Sequence, residues 1–383
     1  MSDYLTRSAV AGVALEAVPG VSVMPAYASD LLALEGLEMG GNYETTATDE
    51  YTGSLDKSPD IPAGGTRPVK ATALLKGAGL ALAAAGTAPA YGRLLEACSM
   101  VRHALPAAVA GTVTQATANT VTLSSVAGLA KGMPITIAGQ RRVIAGVAGA
   151  VATIYPALDP VPADGAAFTV PAGNVYRAAS TGLKNATIAR WRRSVSGGPA
   201  KLSVAPGCAG TFSVELAARG VGRINFELTG GLLPDVEIAD PGEPVFQPGA
   251  GLPWLGAASY FGGRSTNPVK LDIALGGTVQ MADDPRAVTG YGAGRVADRQ
   301  WEVKITPPLG LASERNEFAR WLDRAPRDFW TVWGEGPGSD ISIYLPGLVN
   351  KTGPEELDVK GIMHEGLTLQ SSEVNGGLYL WVG

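Results

Sequence analysis

Two stretches far apart in the chain share one arrangement of apolar and polar positions. Arg67-Pro68-Val69-Lys70-Ala71-Thr72 and Arg299-Gln300-Trp301-Glu302-Val303-Lys304-Ile305-Thr306 alternate at a period of two, which predicts strands with one buried face. A helical pattern follows each. Tyr91-Gly92-Arg93-Leu94-Leu95-Glu96 and Phe318-Ala319-Arg320-Trp321-Leu322-Asp323 both read aromatic, small, Arg, apolar, Leu, acid. Residues three and four apart share a helix face. Tyr91, Leu94, Leu95 and Cys98 therefore form one predicted packing stripe, and Phe318, Trp321 and Leu322 a second. A repeat unit about one domain long predicts a duplicated domain rather than a solenoid.

Taken in order, the chain opens with an apolar strand or arm from Tyr4 to about Gly20, then a strand from Leu31 to Met39. Residues 40–66 show no periodicity and carry Glu44, Asp49, Glu50, Asp56 and Asp60. So long a loop is usually functional or disordered; a solvated surface loop and a loop that orders against a neighbouring subunit both fit. A strand over Pro68–Lys76 precedes a helix with Thr87 as N-cap and Pro89 in its first turn, ending near Met100. From Ala110 the texture changes to short Val/Ile/Thr-rich runs punctuated by Gly, Asn, Asp and Pro, the rhythm of a small all-β module. The predicted insert spans 111–175.

The parent domain resumes near Ala186 with a basic strand, then a hairpin of Thr211–Leu216 and Ile224–Leu228 turning near Gly220. Leu232–Pro253, rich in Pro and Gly, reads as a linker. The second copy begins with Val269, Leu271, Ile273 and Leu275 alternating with polar residues. It continues through a shorter loop, Met281–Ala297, a strand, and a helix capped by Ser313, then strands at Phe329–Trp333, Ile341–Leu345 and Val359–Leu369. The expected class is mainly β: a first domain from 1–110 with 176–245, the insert, and a second domain over 246–383.

Composition narrows the function. A net charge of −5 argues against a tight, sequence-reading nucleic-acid binder. Two cysteines make no disulfide framework, and Cys98 on an apolar stripe reads as a small core residue. The start Met1-Ser2-Asp3-Tyr4 lacks a basic leader running into an apolar core, and Gly77–Gly86 is too short to cross a bilayer. A soluble product made in the cytoplasm is expected, with no membrane contact.

Catalytic signals are sparse. Neither His103 nor His364 has a second ligand at metal spacing, and His364-Glu365 reads as a surface pair. Gly290-Tyr291-Gly292-Ala293-Gly294 lacks the flanking strand and helix of a nucleotide loop and reads as plain loop. No serine sits in a nucleophile elbow. Neither an enzyme nor a cofactor or metal is expected. Arg190-Trp191-Arg192-Arg193 mixes basic and aromatic residues as a nucleic-acid groove does, but in an acidic chain it fits a neighbouring subunit's carboxylates better.

Several stretches resemble the tail tube proteins of long-tailed bacteriophages, in a tandem-duplicated form. They are YLTRSAVAGVALEAVPG, GTAPAYGRLLEACSM, KLSVAPGCAGTFSVELAARGVGRINFELTG, and VKLDIALGGTVQMADDPRAVTGYGAGRVADRQWEVKIT with the helix after it. The resemblance covers most of the chain outside the insert, which is similar to small β domains that decorate phage tubes. It implies two β-sandwiches, each flanked by one helix, whose sheets join into a ring around a DNA channel. Three chains would make a pseudo-hexameric ring, with a homohexamer as the runner-up, and rings would stack head to tail. Tape-measure, tail terminator and tail tip proteins would be the other partners, in a virion tail.

By the same resemblance, inter-ring contacts fall to the loops carrying Tyr43, Glu44, Asp49, Glu50, Tyr51, Asp56, Asp283, Asp284 and Arg286. Candidates for the channel wall are Glu215, Asn225, Glu227, Asp272, Glu302 and Lys304, where excess negative charge would keep phosphate from sticking. The alternative is another virion β protein: a tail completion, baseplate hub or decoration protein.

Overall fold

Alternation at a period of two dominates the sequence, and the computed structural model is accordingly mainly β, with two short helices and a closed six-stranded barrel. It describes residues 4–48, 56, 58–79, 87–249, 251–311, 313, 315–334, 336 and 338–383.

Two layers face each other across the main core. In the inner layer, Gly36–Met39 pairs with Ile61–Leu74, which pairs with Arg223–Gly231, which pairs with the second half of Ala200–Ala217. That last strand pairs with Lys270–Ala274, and the layer continues through Glu302–Ile305 and Ile362–Ser371 to Glu355–Val359. All these ladders are antiparallel. The outer layer runs Met100–Leu105, Gly173–Ala178, Tyr379–Val382, Ile341–Asn350, Arg327–Trp333, Ala258–Phe261. Alternate residues of both layers fill one core: Val69, Phe212, Phe226, Ile273, Val303 and Leu367 from the inner, Tyr176, Ile343 and Leu380 from the outer.

A further sheet, Tyr4–Leu15 with Ala186–Ser194 and the first half of Ala200–Ala217, covers the first helix. Glu16 anchors it. Its buried carboxylate accepts from Thr187 Oγ1 at 2.7 Å and from the amides of Gly207 and Gly20, each at 2.7 Å. The barrel strands run from Val109 to Val170. Gly173–Ala178, whose first residues the predicted insert included, belongs to the outer layer. The barrel core continues into Trp330, Tyr344 and Trp381 on the outer layer's far side.

Helix α1, Gly92–Ala97, is shorter than the pattern predicts. Thr87 and Pro89 precede it without capping it, since the chain turns at Pro89, whose carbonyl accepts from the Gly92 amide at 2.8 Å. Ser99, at φ 61°, ends it before the strand at Met100. Tyr91, Leu94, Leu95 and Cys98 are buried as the stripe predicts. Gly92 is required here, because a Cβ would collide with the Tyr176 hydroxyl.

Helix α2, Glu317–Asp323, departs from the prediction. Asn316 rather than Ser313 caps it, accepting from the Ala319 amide at 2.9 Å. Its apolar stripe faces out: Phe318 is 58% exposed, Leu322 60% and Trp321 37%. Glu317 points inward instead, because the buried Arg327 guanidinium needs a counter-charge. Arg327 donates to both Glu317 carboxylate oxygens, at 2.6 and 2.7 Å, and to Asn350 Oδ1 at 2.6 Å. A buried charge without a partner is costly, and this outweighs the burial of one aromatic face.

Two other expectations are corrected. Leu31–Met39 is two strands, because Leu31–Leu32 pairs with the N-terminal strand and Gly36–Met39 with the inner layer. Tyr291–Arg299 is a strand rather than loop, held by Gly277–Asp283. The second connection has the shorter turn, as expected: seven residues separate Asp283 from Tyr291, and fourteen separate Thr46 from Ile61.

Glu317→Ala leaves the Arg327 guanidinium buried and unpaired, and should cost about 3–5 kcal/mol of unfolding free energy. Urea unfolding followed by tryptophan fluorescence measures it; a loss below about 1 kcal/mol would remove the pair from the fold's supports.

Candidate functional site

Apart from the buried Arg67, His364 and Glu365, the charged residues of the inner layer's paired strands gather on its outward face. The register sets Glu38 opposite Lys70, Lys70 opposite Glu227, and Arg223 opposite Glu215. It continues with Glu215 opposite Asp272, Asp272 opposite Lys304 and Ala274 opposite Glu302. Directly opposed residues share a face. Glu215, Asn225, Glu227, Asp272, Glu302 and Lys304, the six wall candidates, thus occupy one continuous surface that crosses both halves of the chain. Nothing in their local sequence reveals this, since it depends on the ladder between Ser213–Ala217 and Lys270–Ala274.

The face is an almost neutral mosaic. Glu35, Glu38, Glu215, Glu227, Asp272, Glu302 and Glu355 stand among Lys70, Arg223, Lys270, Lys304 and Lys351, an excess of two acids. Every one of these bases lies beside a carboxylate: Lys70–Glu227 at 3.7 Å, Arg223–Glu35 at 2.6 Å, Lys270–Asp272 at 2.6 Å, Lys304–Glu302 at 3.4 Å and Lys351–Glu302 at 2.5 Å. Asn225 bridges its neighbours, donating to Glu215 at 2.9 Å and accepting from Thr72 at 2.9 Å. The hydrogen bond to Asp272 raises the Lys270 pKa, and the hydrogen bond from Lys351 holds Glu302 below the usual glutamate range. The expected negative excess is therefore small. What the face withholds from an anion is a free cation.

The two loops expected to contact other rings are both hairpins, and they touch each other. Asn42–Thr46 pairs with the start of Ile61–Leu74, and Gly277–Asp283 with Tyr291–Arg299. The Tyr291 hydroxyl donates to the Glu44 carboxylate at 2.6 Å, and the Gly65 amide to the Thr289 carbonyl at 3.1 Å. Tyr43 is 79% exposed, and Asp56 is exposed. Asp284 and Arg286 form the second turn, the Arg286 amide donating to Asp284 Oδ1 at 2.9 Å, and Asp283 ends the strand before it. Asp49, Glu50 and Tyr51 lie outside the described residues.

The remaining candidates separate. His364 and Glu365, expected on the surface, are buried. Arg315 draws Glu365 in, donating to it at 2.5 Å, and His364 Nδ1 lies 2.9 Å from the Ile362 carbonyl. The basic run splits three ways. Arg193 pairs with Asp240 and Glu243 of its own chain, while Arg190 is buried and Arg192 half-buried, and neither has a carboxylate within ion-pair distance among the described residues.

A cleft of about 740 Å³ is lined by Asp30, Thr87, Arg93, Glu96 and Lys184 among others. Arg93 pairs with Asp30 at 2.7 Å and Lys184 with Glu96 at 2.6 Å. No group of three or more His, Cys, Asp or Glu among the described residues is placed to hold a metal ion. No described helix is long and apolar enough to cross a membrane. No protein-family model matches the chain, and no curated protein matches it.

The Glu302 pKa is lowered in the folded protein, so its pairing stabilises above the ordinary glutamate range and is lost as pH falls through it. With Glu302 about one-third exposed, the stabilisation is about 0.5–1 kcal/mol. Glu302→Gln should flatten the decline in stability below about pH 5, read from urea midpoints at stepped pH. Parallel curves for both proteins would dismiss the contribution.

Proposed function

We propose that the chain is the tail tube subunit of a long-tailed phage or prophage, polymerising as stacked rings around a channel that conducts double-stranded DNA. One observation carries the reading: Ser213–Ala217 of the first half pairs with Lys270–Ala274 of the second in a ladder that makes the two inner sheets one. Each half contributes four strands in matching order. Gly36–Met39, Ile61–Leu74, Arg223–Gly231 and Ala200–Ala217 correspond to Lys270–Ala274, Glu302–Ile305, Ile362–Ser371 and Glu355–Val359. In both halves a helix follows the second of these strands. This matching order supports a reading of two tube domains in tandem, with the barrel as an outer appendage.

Magnitudes favour three chains. Eight strands close into a barrel filled by its own side chains. Three copies give about twenty-four strands, and at ~4.8 Å spacing and ~40° tilt their circumference is about 150 Å, a backbone diameter near ~48 Å. Side chains reduce this to about 40 Å, roughly twice the width of a duplex. The mosaic face would line that channel. Its bases are engaged by acids, so a passing phosphate backbone meets no free cation and releases few counterions.

Negative-stain electron microscopy of the purified chain at rising concentration should give rings with three-fold symmetry and a central hole, stacking into tubes. Six-fold rings of whole chains would keep the tube and remove the pairing of halves; particles with no hole would remove both. In assembled tubes, Glu215→Lys with Asp272→Lys should create salt-sensitive retention of linear duplex DNA, which the parent tubes lack. Equal retention by both would mean that this face does not line the channel.

A further inference from the structure

Four arginines line one pocket beside α2, and no acid lines it. Arg264 comes from the hairpin that Arg264–Ser265 makes with Ala258–Phe261, and Arg315 from the segment before α2. Arg320 belongs to α2 itself and Arg327 to the outer layer. The pocket has a volume of about 270 Å³. Like charges gathered in one place, some of them buried, need compensating anions.

Two carboxylates serve the four, and both are engaged. Glu317 accepts from both terminal nitrogens of Arg327, and Glu365 from Arg315 at 2.5 Å. Arg264 and Arg320 make no ion pair and no side-chain hydrogen bond among the described residues. Burial, with Arg327, Arg264 and Arg315 nearby, lowers the Arg320 pKa.

Donors remain even on the paired arginines. Arg327 is 5% exposed, yet its Nε has no hydrogen-bond partner. Its guanidinium is held in place over the Phe261 ring, 4.2 Å from the centroid. The Arg315 Nε is also buried, and the Glu317 oxygen 3.5 Å from it accepts no hydrogen bond. A buried donor left without an acceptor is costly, and here two border the same pocket.

Charge and geometry select the ligand. Four guanidiniums against two carboxylates leave an excess of two positive charges, close to the charge of a phosphate monoester at neutral pH. A planar carboxylate is matched by a single guanidinium fork, as Glu317 already is on Arg327. The free donors sit on four separate stretches of chain. A tetrahedral oxyanion, with acceptors on every side, can meet several of them at once. Ser265 and Thr266 add hydroxyls to the same wall, and neither makes a side-chain hydrogen bond among the described residues.

We infer that the pocket between Arg264, Arg315, Arg320 and Arg327 binds a phosphate dianion, either free or carried on a phosphomonoester. Bound there, the anion links α2 to the hairpin of Arg264, as Glu317 links it to Arg327. The inference does not depend on the tube reading.

Isothermal titration calorimetry of the full chain with inorganic phosphate, at an ionic strength fixed with chloride, tests the site. One phosphate per chain should bind with a Kd of about 1 mM or tighter. Arg264→Gln and Arg320→Gln should each weaken it about tenfold, while Arg295→Gln, on an exposed position of another strand, should leave it unchanged. Arg264 is itself exposed, so its loss tests the site without disturbing the core. Absence of saturable binding, or equal binding by the parent and both pocket variants, overturns the site.

Competing occupants have their own readouts in the same titration. Acetate binding as tightly as phosphate would make this a carboxylate pocket and overturn the phosphate assignment. Displacement of phosphate by a short DNA duplex would overturn it in favour of a nucleic-acid contact. Glu314, the neighbour of Arg315 in the chain, lies outside the described residues. Phosphate binding that appears only in Glu314→Gln would mean that the pocket is filled from within, and would also overturn the proposal. A tighter Kd for O-phosphoserine than for phosphate identifies a phosphomonoester as the ligand, and the reverse order a free anion.

Discussion

The ladder between Ser213–Ala217 and Lys270–Ala274 is the constraint on which the rest of the structure depends. Without it each half would end in an open strand edge, with unsatisfied amides and carbonyls beside a core that has to stay dry. With it, Val214 and Leu216 continue directly into Ile273 and Leu271, and one hydrophobic core runs beneath both halves. The outer layer repeats the solution, since Tyr379–Val382 lies between Gly173–Ala178 and Ile341–Asn350 and joins the halves a second time. Two such seams, one per layer, make bending between the halves costly.

Charge placement follows from that closure. A sheet face open to water tolerates many ionised groups, whereas the few charges drawn inside need complete partners. Glu16 and Glu317 are examples of the second kind: one receives three hydrogen bonds, and the other meets a guanidinium squarely. Arg190, Lys76 and Arg142 are buried without a carboxylate at ion-pair distance among the described residues, and rely on carbonyl and side-chain oxygens instead.

Much of the fold was legible from alternation alone. The inner strands, the hairpin turning near Gly220, the change of texture that marks the barrel, and the packing stripe of α1 are all local patterns. Failures came where a residue's partner is distant. The stripe Phe318, Trp321 and Leu322 has the spacing of a buried face, yet Glu317 turns inward because Arg327 and Asn350 wait there, a contact invisible in a helical window. His364-Glu365 looks like a surface pair until Arg315 is brought beside it. Tyr291–Arg299 is too glycine-rich to register as a strand without its partner Gly277–Asp283. The six residues of the mosaic face were readable as polar positions, but their union on one surface is a property of strand order, which single-sequence periodicity does not carry.

The barrel's attachment has a consequence of its own. Leu105 and Gly173, between which it is inserted, stand opposite each other in an antiparallel ladder. The whole barrel therefore occupies the place of a hairpin turn, and its two ends leave the sheet one strand spacing apart. Such a point places almost no demand on what is inserted beyond neighbouring termini, so lineages can gain, lose or exchange a module there while the two-layered body stays unchanged. The price is local: Trp330, Tyr344 and Trp381 form a greasy platform beneath the present occupant, and any successor must cover it or see it recoded as polar.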